Sequence, residues 1–134
     1  MTGESTRSVH EEEPIDEATG SVTVPIYETS TFGFKRAEDV PRAVAGKGGY
    51  TYSRWDNPTV VRFEKKIAAF EHGDDGAAFS SGMSAISTFI FTFLKKGSHV
   101  LAIHDLYAGT YGMLHDILPD LGFGTSLVET SDAA

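Results

Sequence analysis

The sequence predicts an α/β fold with a parallel sheet, and three observations predict it. Short runs of buried-strand character alternate with longer helix-patterned runs from Ala77 onward, in the order strand, helix, strand, helix, strand. Strands separated by helices at this spacing need right-handed crossovers, and crossovers make neighbouring strands parallel. The helix boundaries carry their own chemistry, with Asn57-Pro58-Thr59 opening one helix and Lys95-Lys96-Gly97 closing the next. At 134 residues the chain fits one domain of ordinary size.

The opening, Met1 to Gly20, holds Glu4, Glu11, Glu12, Glu13, Asp16 and Glu17 against Arg7 alone and lacks hydrophobic periodicity. It reads as a mobile or surface-lying arm. Val22, Val24, Ile26, Tyr27, Thr29, Thr31, Phe32 and Phe34 then mark an extended segment over Ser21 to Phe34. Pro25 removes a donor in its midst and confines it to a sheet edge or a wrapping path. A short helix is expected over Ala37 to Ala45, ended by Gly46, Gly48 and Gly49.

At the next helix Asn57 caps a first-turn N–H and Pro58 sits where its missing donor costs nothing. Val60, Phe63, Ile67 and Phe70 recur on one face up to His72, and Gly73 is the expected C-cap. Ala77 to Ser80 reads as a short buried strand and Met83 to Leu94 as a fully buried helix. Val100 to Ile103 reads as a strand, Tyr107 to Leu118 as a helix that Pro119 ends or turns out of, and Thr125 to Val128 as the last strand.

Composition narrows the chemistry. There are 19 acidic against 11 basic side chains, for a formal charge of −8, and no lysine/arginine block of the kind that grips a phosphate backbone. Nucleic acid is therefore not an expected partner. The absence of cysteine removes disulfides, thiolate nucleophiles and cysteine-bound zinc, and suits a reducing compartment. No apolar run approaches the roughly 20 residues that span a bilayer, so no membrane partner is expected. An acidic N-terminus is the opposite of a signal peptide's, and a cytoplasmic location is expected. The histidines, His99 and His104 included, form no metal-ligand pattern.

Three stretches could carry chemistry. Ser80-Ser81-Gly82-Met83 ends a strand and opens a helix, presenting first-turn amides to an anion, with Ser81 or Ser84 able to add a hydroxyl. Such junctions also occur without a ligand, and no Walker A or GxGxxG pattern is present. Tyr50 to Thr59 is dense in polar and aromatic groups. Arg54 offers a planar fork to phosphate or carboxylate and Tyr52 a phenol, while a packed loop with a surface ion pair is the plain alternative. Asp105 to Tyr111 lies at a second strand-to-helix junction, where an aromatic ring either stacks on a planar cofactor or simply packs.

Taken in order, Thr-Arg-Ser-Val-His, Val-Pro-Ile-Tyr-Glu-Thr-Ser-Thr-Phe, Tyr-Ser-Arg-x-x-Asn-Pro-Thr, Ser-Ser-Gly-Met-Ser-Ala-Ile and Asp-Leu-Tyr-x-Gly-Thr-Tyr strongly resemble the Cys/Met-metabolism family of pyridoxal-phosphate enzymes. Cystathionine γ-synthases, cystathionine and methionine γ-lyases and homocysteine-forming sulfhydrylases belong to that family. The resemblance implies the fold type I architecture, with residues 1–50 an N-terminal arm and extended segment and residues 51–134 an incomplete cofactor-binding α/β domain. It implies pyridoxal 5′-phosphate as cofactor and a sulfur-containing amino acid as substrate. It also implies a homotetramer built from dimers that share active sites.

By the same resemblance Gly82 and Met83 give backbone donors to the cofactor phosphate, and Tyr52 and Arg54 reach the phosphate of a neighbouring subunit's cofactor. Tyr107 stacks on the pyridine ring and assists proton movement or leaving-group departure. The family's cofactor-bearing lysine and its pyridinium-pairing aspartate lie in a central part with no counterpart here. None of Lys35, Lys47, Lys65, Lys66, Lys95 or Lys96 occupies that lysine's motif. The chain thus corresponds to the N-terminal third of such an enzyme, and by itself is expected to be inactive. Gly109 stands where methionine γ-lyases typically carry a cysteine, which counts against that activity. Outside catalysis, the alternative is a truncated α/β module that keeps a phosphate loop and a dimerisation arm.

Overall fold

The structure, a computed structural model, describes residues 3–10 and 15–129. It divides into two compact units, Met1–Ala78 and Phe79–Ala134.

In the first unit the acidic opening is partly ordered. Helix α1 (Glu4–His10) lies against a later helix, because Arg7 donates to the carbonyl of Ala69 at 2.7 Å and lies over the Phe70 ring at 5.3 Å. The Lys66 ammonium donates to the carbonyl of Ser8 at 3.0 Å. The arm is therefore docked along 4–10 rather than mobile there; Glu11, Glu12 and Glu13 lie outside the described residues. The segment from Ser21 to Phe34 is irregular, and its ladder is one antiparallel bridge, Thr31 to Tyr52. Helix α2 (Asp39–Val44) is shorter than the sequence suggests, and Gly46, Gly48 and Gly49 follow it at φ of 68°, 110° and 83°.

Helix α3 (Pro58–Phe70) starts as its sequence dictates, with the Asn57 side chain accepting from the Thr59 amide at 2.9 Å. Its end differs from the expectation. His72, not Gly73, takes the left-handed conformation, at φ 55°, and the Gly73 amide returns to the carbonyl of Ala68 at 2.8 Å. The expected strand at Ala77 to Ser80 is absent. The Ala78 amide is spent on the Glu64 carboxylate at 2.7 Å, and so is not available to a strand ladder.

In the second unit Ser81 caps helix α4 (Gly82–Phe93) through a reciprocal capping box with Ser84. The helix is not fully buried. Ile90 is, but Phe89, Phe91 and Phe93 are 60%, 50% and 69% exposed, because the unit has one small sheet to cover one face. That sheet pairs β1 (His99–Ile103) with β2 (Gly124–Val128) in parallel, from His99 opposite Gly124 to Ile103 opposite Val128.

The connection between the strands was expected to be one helix and is three pieces: α5 (Ala108–Gly112), a π-turn (Met113–Ile117) and α6 (Leu118–Asp120). The Leu118 amide reaches back to the carbonyl of Met113, and Pro119, with no N–H to place, tolerates the slipped register. Pro119 lies inside the last turn, and Gly122 at φ 85° ends it. Buried Ile90, Met113, Leu114 and Leu118 form the core, with Val100, Ala102 and Leu127 packed from the sheet. The fold is α/β with a parallel sheet and helices.

Candidate functional site

The predicted site residues fall into two groups, one in each unit. In the first unit Tyr52 and Arg54 share a loop held from behind by the extended segment. The Phe32 amide donates to the carbonyl of Thr51 at 3.1 Å, and the Ser53 amide to that of Ser30 at 2.9 Å. The exposed Arg54 guanidinium lies over the Tyr52 ring at 4.8 Å, and Trp55 meets the same ring edge-on at 6.4 Å. A planar cation resting on an aromatic face gives up part of its rotamer freedom before it meets any anion. Nearby, burial and the negative charge of Asp56 raise the Tyr50 phenol above its ordinary range. A cavity of about 410 Å³ in this unit, lined by Tyr27, Tyr50, Pro58 and Arg62 among others, contains none of the predicted residues.

In the second unit Gly82 and Met83 form the first turn of α4 and Tyr107 is the residue preceding α5. Amides at these first helical positions have no intrahelical acceptor, and the positive end of the helix dipole adds to their pull on an anion. A Cβ placed on Gly82 would have nothing within 4 Å, so a compact anion has room to come up to the backbone. The Ser81 and Ser84 hydroxyls, 3.1 Å apart, are engaged with each other and with the cap. Met83 ties this turn to the other, its thioether accepting from the Thr110 hydroxyl at 3.3 Å. A Cβ on Gly109 would stand 2.8 Å from Tyr107 Cε1 and 3.3 Å from Met83 Sδ. Met83, Tyr107, Gly109 and Thr110 are thus one cluster, with Tyr107 73% exposed.

The chemistry of the second group fits a phosphorylated planar cofactor: unpaired amides and an open approach for the phosphate, and an exposed ring beside them for a flat heterocycle. Sequence reasoning did not find that Thr110 fixes Met83. The two are 27 positions apart, and no spacing rule links a hydroxyl to a distant thioether. Among the described residues no group of three or more histidine, aspartate or glutamate side chains is placed to hold a metal ion. None of the helices among them is long and apolar enough to cross a membrane.

Known proteins share both the sequence and the architecture. An L-methionine gamma-lyase from Fusobacterium nucleatum is 44% identical over 114 residues, 84% of this chain and 29% of the relative. Cystathionine beta-lyase MetC from Bacillus subtilis is 42% identical, over 95% of this chain and 30% of its own length. Among solved structures, metB from Corynebacterium glutamicum superposes with a TM-score of 0.84 at 35% identity, over 98% of this chain and 32% of that one. Cystathionine gamma-lyase from Lactobacillus plantarum gives 0.80 at 35% identity over the same shares. The chain therefore spans about a third of the length of the proteins it matches, and they carry several different reactions. The family described as Cys/Met metabolism PLP-dependent enzyme matches residues 5–134, and the chain belongs to it.

Proposed function

We propose that this chain forms the phosphate-side part of a pyridoxal-phosphate-dependent enzyme of sulfur amino-acid metabolism. Its reaction is elimination or replacement at the γ or β carbon, of the cystathionine γ-synthase or γ-lyase type. The observation that carries the reading is the cluster at the start of α4, where the Gly82 and Met83 amides stand open and Met83 is fastened to the turn that presents Tyr107. Gly82 and Met83 hold the phosphate through their N–H groups, and Tyr107 stacks against the heterocycle. Tyr107 carries a phenol able to hold or pass a proton at Oη. Tyr52 and Arg54 bind the phosphate of a second copy's cofactor, so the partners are a sulfur-containing amino acid and another copy of the protein in a homo-oligomer with shared sites. When bound, the cofactor supplies an electron sink for a carbanion, which no side chain of this chain provides. A cytoplasmic location belongs to the same reading.

The test is the intact mass of the endogenous protein after borohydride reduction, which locks a cofactor held on a lysine into a stable pyridoxyl adduct. A pyridoxyl-bearing species well above 14.5 kDa is the expected result. A bare species at 14.5 kDa would replace this reading with that of a non-catalytic binding module.

A further inference from the structure

We propose that Asn57 is a positioning residue for Arg54, acting through Ser53. Asn57 is 5% exposed, and every arm of its amide is in use. Its carbonyl oxygen caps α3 at the Thr59 amide, 2.9 Å away; its Nδ2 donates to the carbonyl of Tyr27 at 3.0 Å and to Ser53 Oγ at 2.8 Å. Ser53 is the residue between Tyr52 and Arg54, and its amide and hydroxyl are both engaged. Its amide donates to Ser30, its hydroxyl donates to the carbonyl of Thr29, and its Oγ accepts from Asn57.

Capping α3 needs only the oxygen of Asn57, and aspartate, serine or threonine would serve for that. The amide nitrogen does something a cap does not require, since it joins the helix start to the loop and to the extended segment. With Ser53 pinned on its inner side, the flanking Tyr52 and Arg54 emerge together, and the guanidinium comes to rest on the Tyr52 ring at 4.8 Å. The anion-binding fork is therefore set by a side chain that never reaches the anion. Its value to phosphate binding rests on the functional reading above, whereas the positioning itself does not.

Trp55, the sole tryptophan of the chain, reports on it, because it touches the Tyr52 ring on which Arg54 lies. A guanidinium held near the indole concentrates iodide but not acrylamide. The ratio of iodide to acrylamide quenching of the full chain should fall about twofold in Arg54→Gln, the size of one unit charge roughly 8 Å away in water. Asn57→Ser, which keeps a capping oxygen and adds no charge, and Ser53→Ala should fall part of the way to that level, because the released guanidinium keeps its charge on the residue beside Trp55, with the far-UV helical signal unchanged. Ser53→Thr, which keeps the hydroxyl, should retain the wild-type ratio. A wild-type ratio in either Asn57→Ser or Ser53→Ala would overturn the proposal, as would a loss in Ser53→Thr, which would assign the effect to packing. Should Asn57→Ser lose its helical signal, Ser53→Ala decides. Pyridoxal 5′-phosphate titrated onto the same proteins tests the functional reading separately. Weaker binding in Arg54→Gln supports it, and equal binding removes the phosphate role while leaving the positioning result in force.

Discussion

The Thr110 hydroxyl donates a hydrogen bond to the thioether of Met83, Oγ1 to Sδ 3.3 Å, and so fastens the first turn of α5 to the first turn of α4. The two turns hold different candidate groups, backbone amides on one and the Tyr107 ring on the other. Their relative placement depends on this contact and on the packing of Met83 against the core.

Thr110→Val keeps the shape and removes the donor. Sulfur is a weak acceptor, so the loss should sit at or below the ordinary value for one hydrogen bond, about 0.5–1.5 kcal/mol. Urea unfolding of the chain measures it. A loss much above that range would mean that the hydroxyl, rather than the methionine's packing, holds the two turns together.

Gly109 leaves space that the Tyr107 ring uses. A Cβ there would stand 2.8 Å from Cε1 of Tyr107, a residue 73% exposed, and an exposed side chain can swing aside. Gly109→Ala should therefore cost little stability while turning Tyr107 away from its place beside Met83. Loss of nuclear Overhauser contacts between the Tyr107 ring and Met83, at an unchanged melting temperature, is the expected signature.

Local signals were legible and distant ones were not. Asn57-Pro58 and Ser81 announce their helices because capping involves atoms two or three residues away. The parallel pairing of β1 with β2 followed from the helix between them. Ala77 to Ser80 misled because its composition says only that it is buried in something, and here the Ala78 amide goes to Glu64, 14 positions earlier. The π-turn at Met113–Ile117 is tolerated by Pro119, yet a proline near a helix end more often marks its boundary. Candidate site residues stood out by type. Their second neighbours, Ser53 and Asn57 behind Arg54 and Thr110 behind Met83, depend on tertiary contacts that no spacing encodes.

Two glycines separate backbone function from backbone packing. A Cβ on Gly76 would lie 2.7 Å from the carbonyl oxygen of Glu64, whereas one on Gly82 would meet nothing within 4 Å. Gly76→Ala should destabilise by about 1–3 kcal/mol, since backbone cannot yield as a side chain tip does. Gly82→Ala should leave thermal stability intact and weaken pyridoxal 5′-phosphate binding by crowding the amides. Equal affinity in Gly82→Ala and wild type would remove the requirement for a bare backbone at that turn.

Tyr50 gives the first unit an alkaline limit. Burial, then the charge of Asp56, raises its phenol above the ordinary value of 10.0. The folded state therefore holds this proton more tightly than the unfolded chain does. Its contribution to stability is complete below the unfolded value and is lost as pH rises through the folded one. Titration of tyrosinate absorbance should show a late-ionising phenol that disappears in Tyr50→Phe, and that variant should lose less stability than wild type above pH 10.0.

The apolar surface leads to the last expectation. Phe63 and Ile67 on α3 are 57% and 44% exposed, Phe89 and Phe93 on α4 are 60% and 69% exposed, and Leu101 on β1 is 65% exposed. Phe89 and Phe93 meet as a tilted ring pair at 5.0 Å and are both exposed, and a parallel sheet normally carries cover on both faces. A large side chain left in water forgoes roughly 1.5–3 kcal/mol of burial, and several on one face favour association over a dispersed monomer. The 134-residue chain should therefore self-associate in sedimentation velocity. Phe89→Glu with Phe93→Lys, which pairs opposite charges one helical turn apart, should shift the distribution toward monomer. A monodisperse wild-type monomer with a cooperative melt would contradict this expectation, because it would mean that the exposed phenylalanines find cover within one chain.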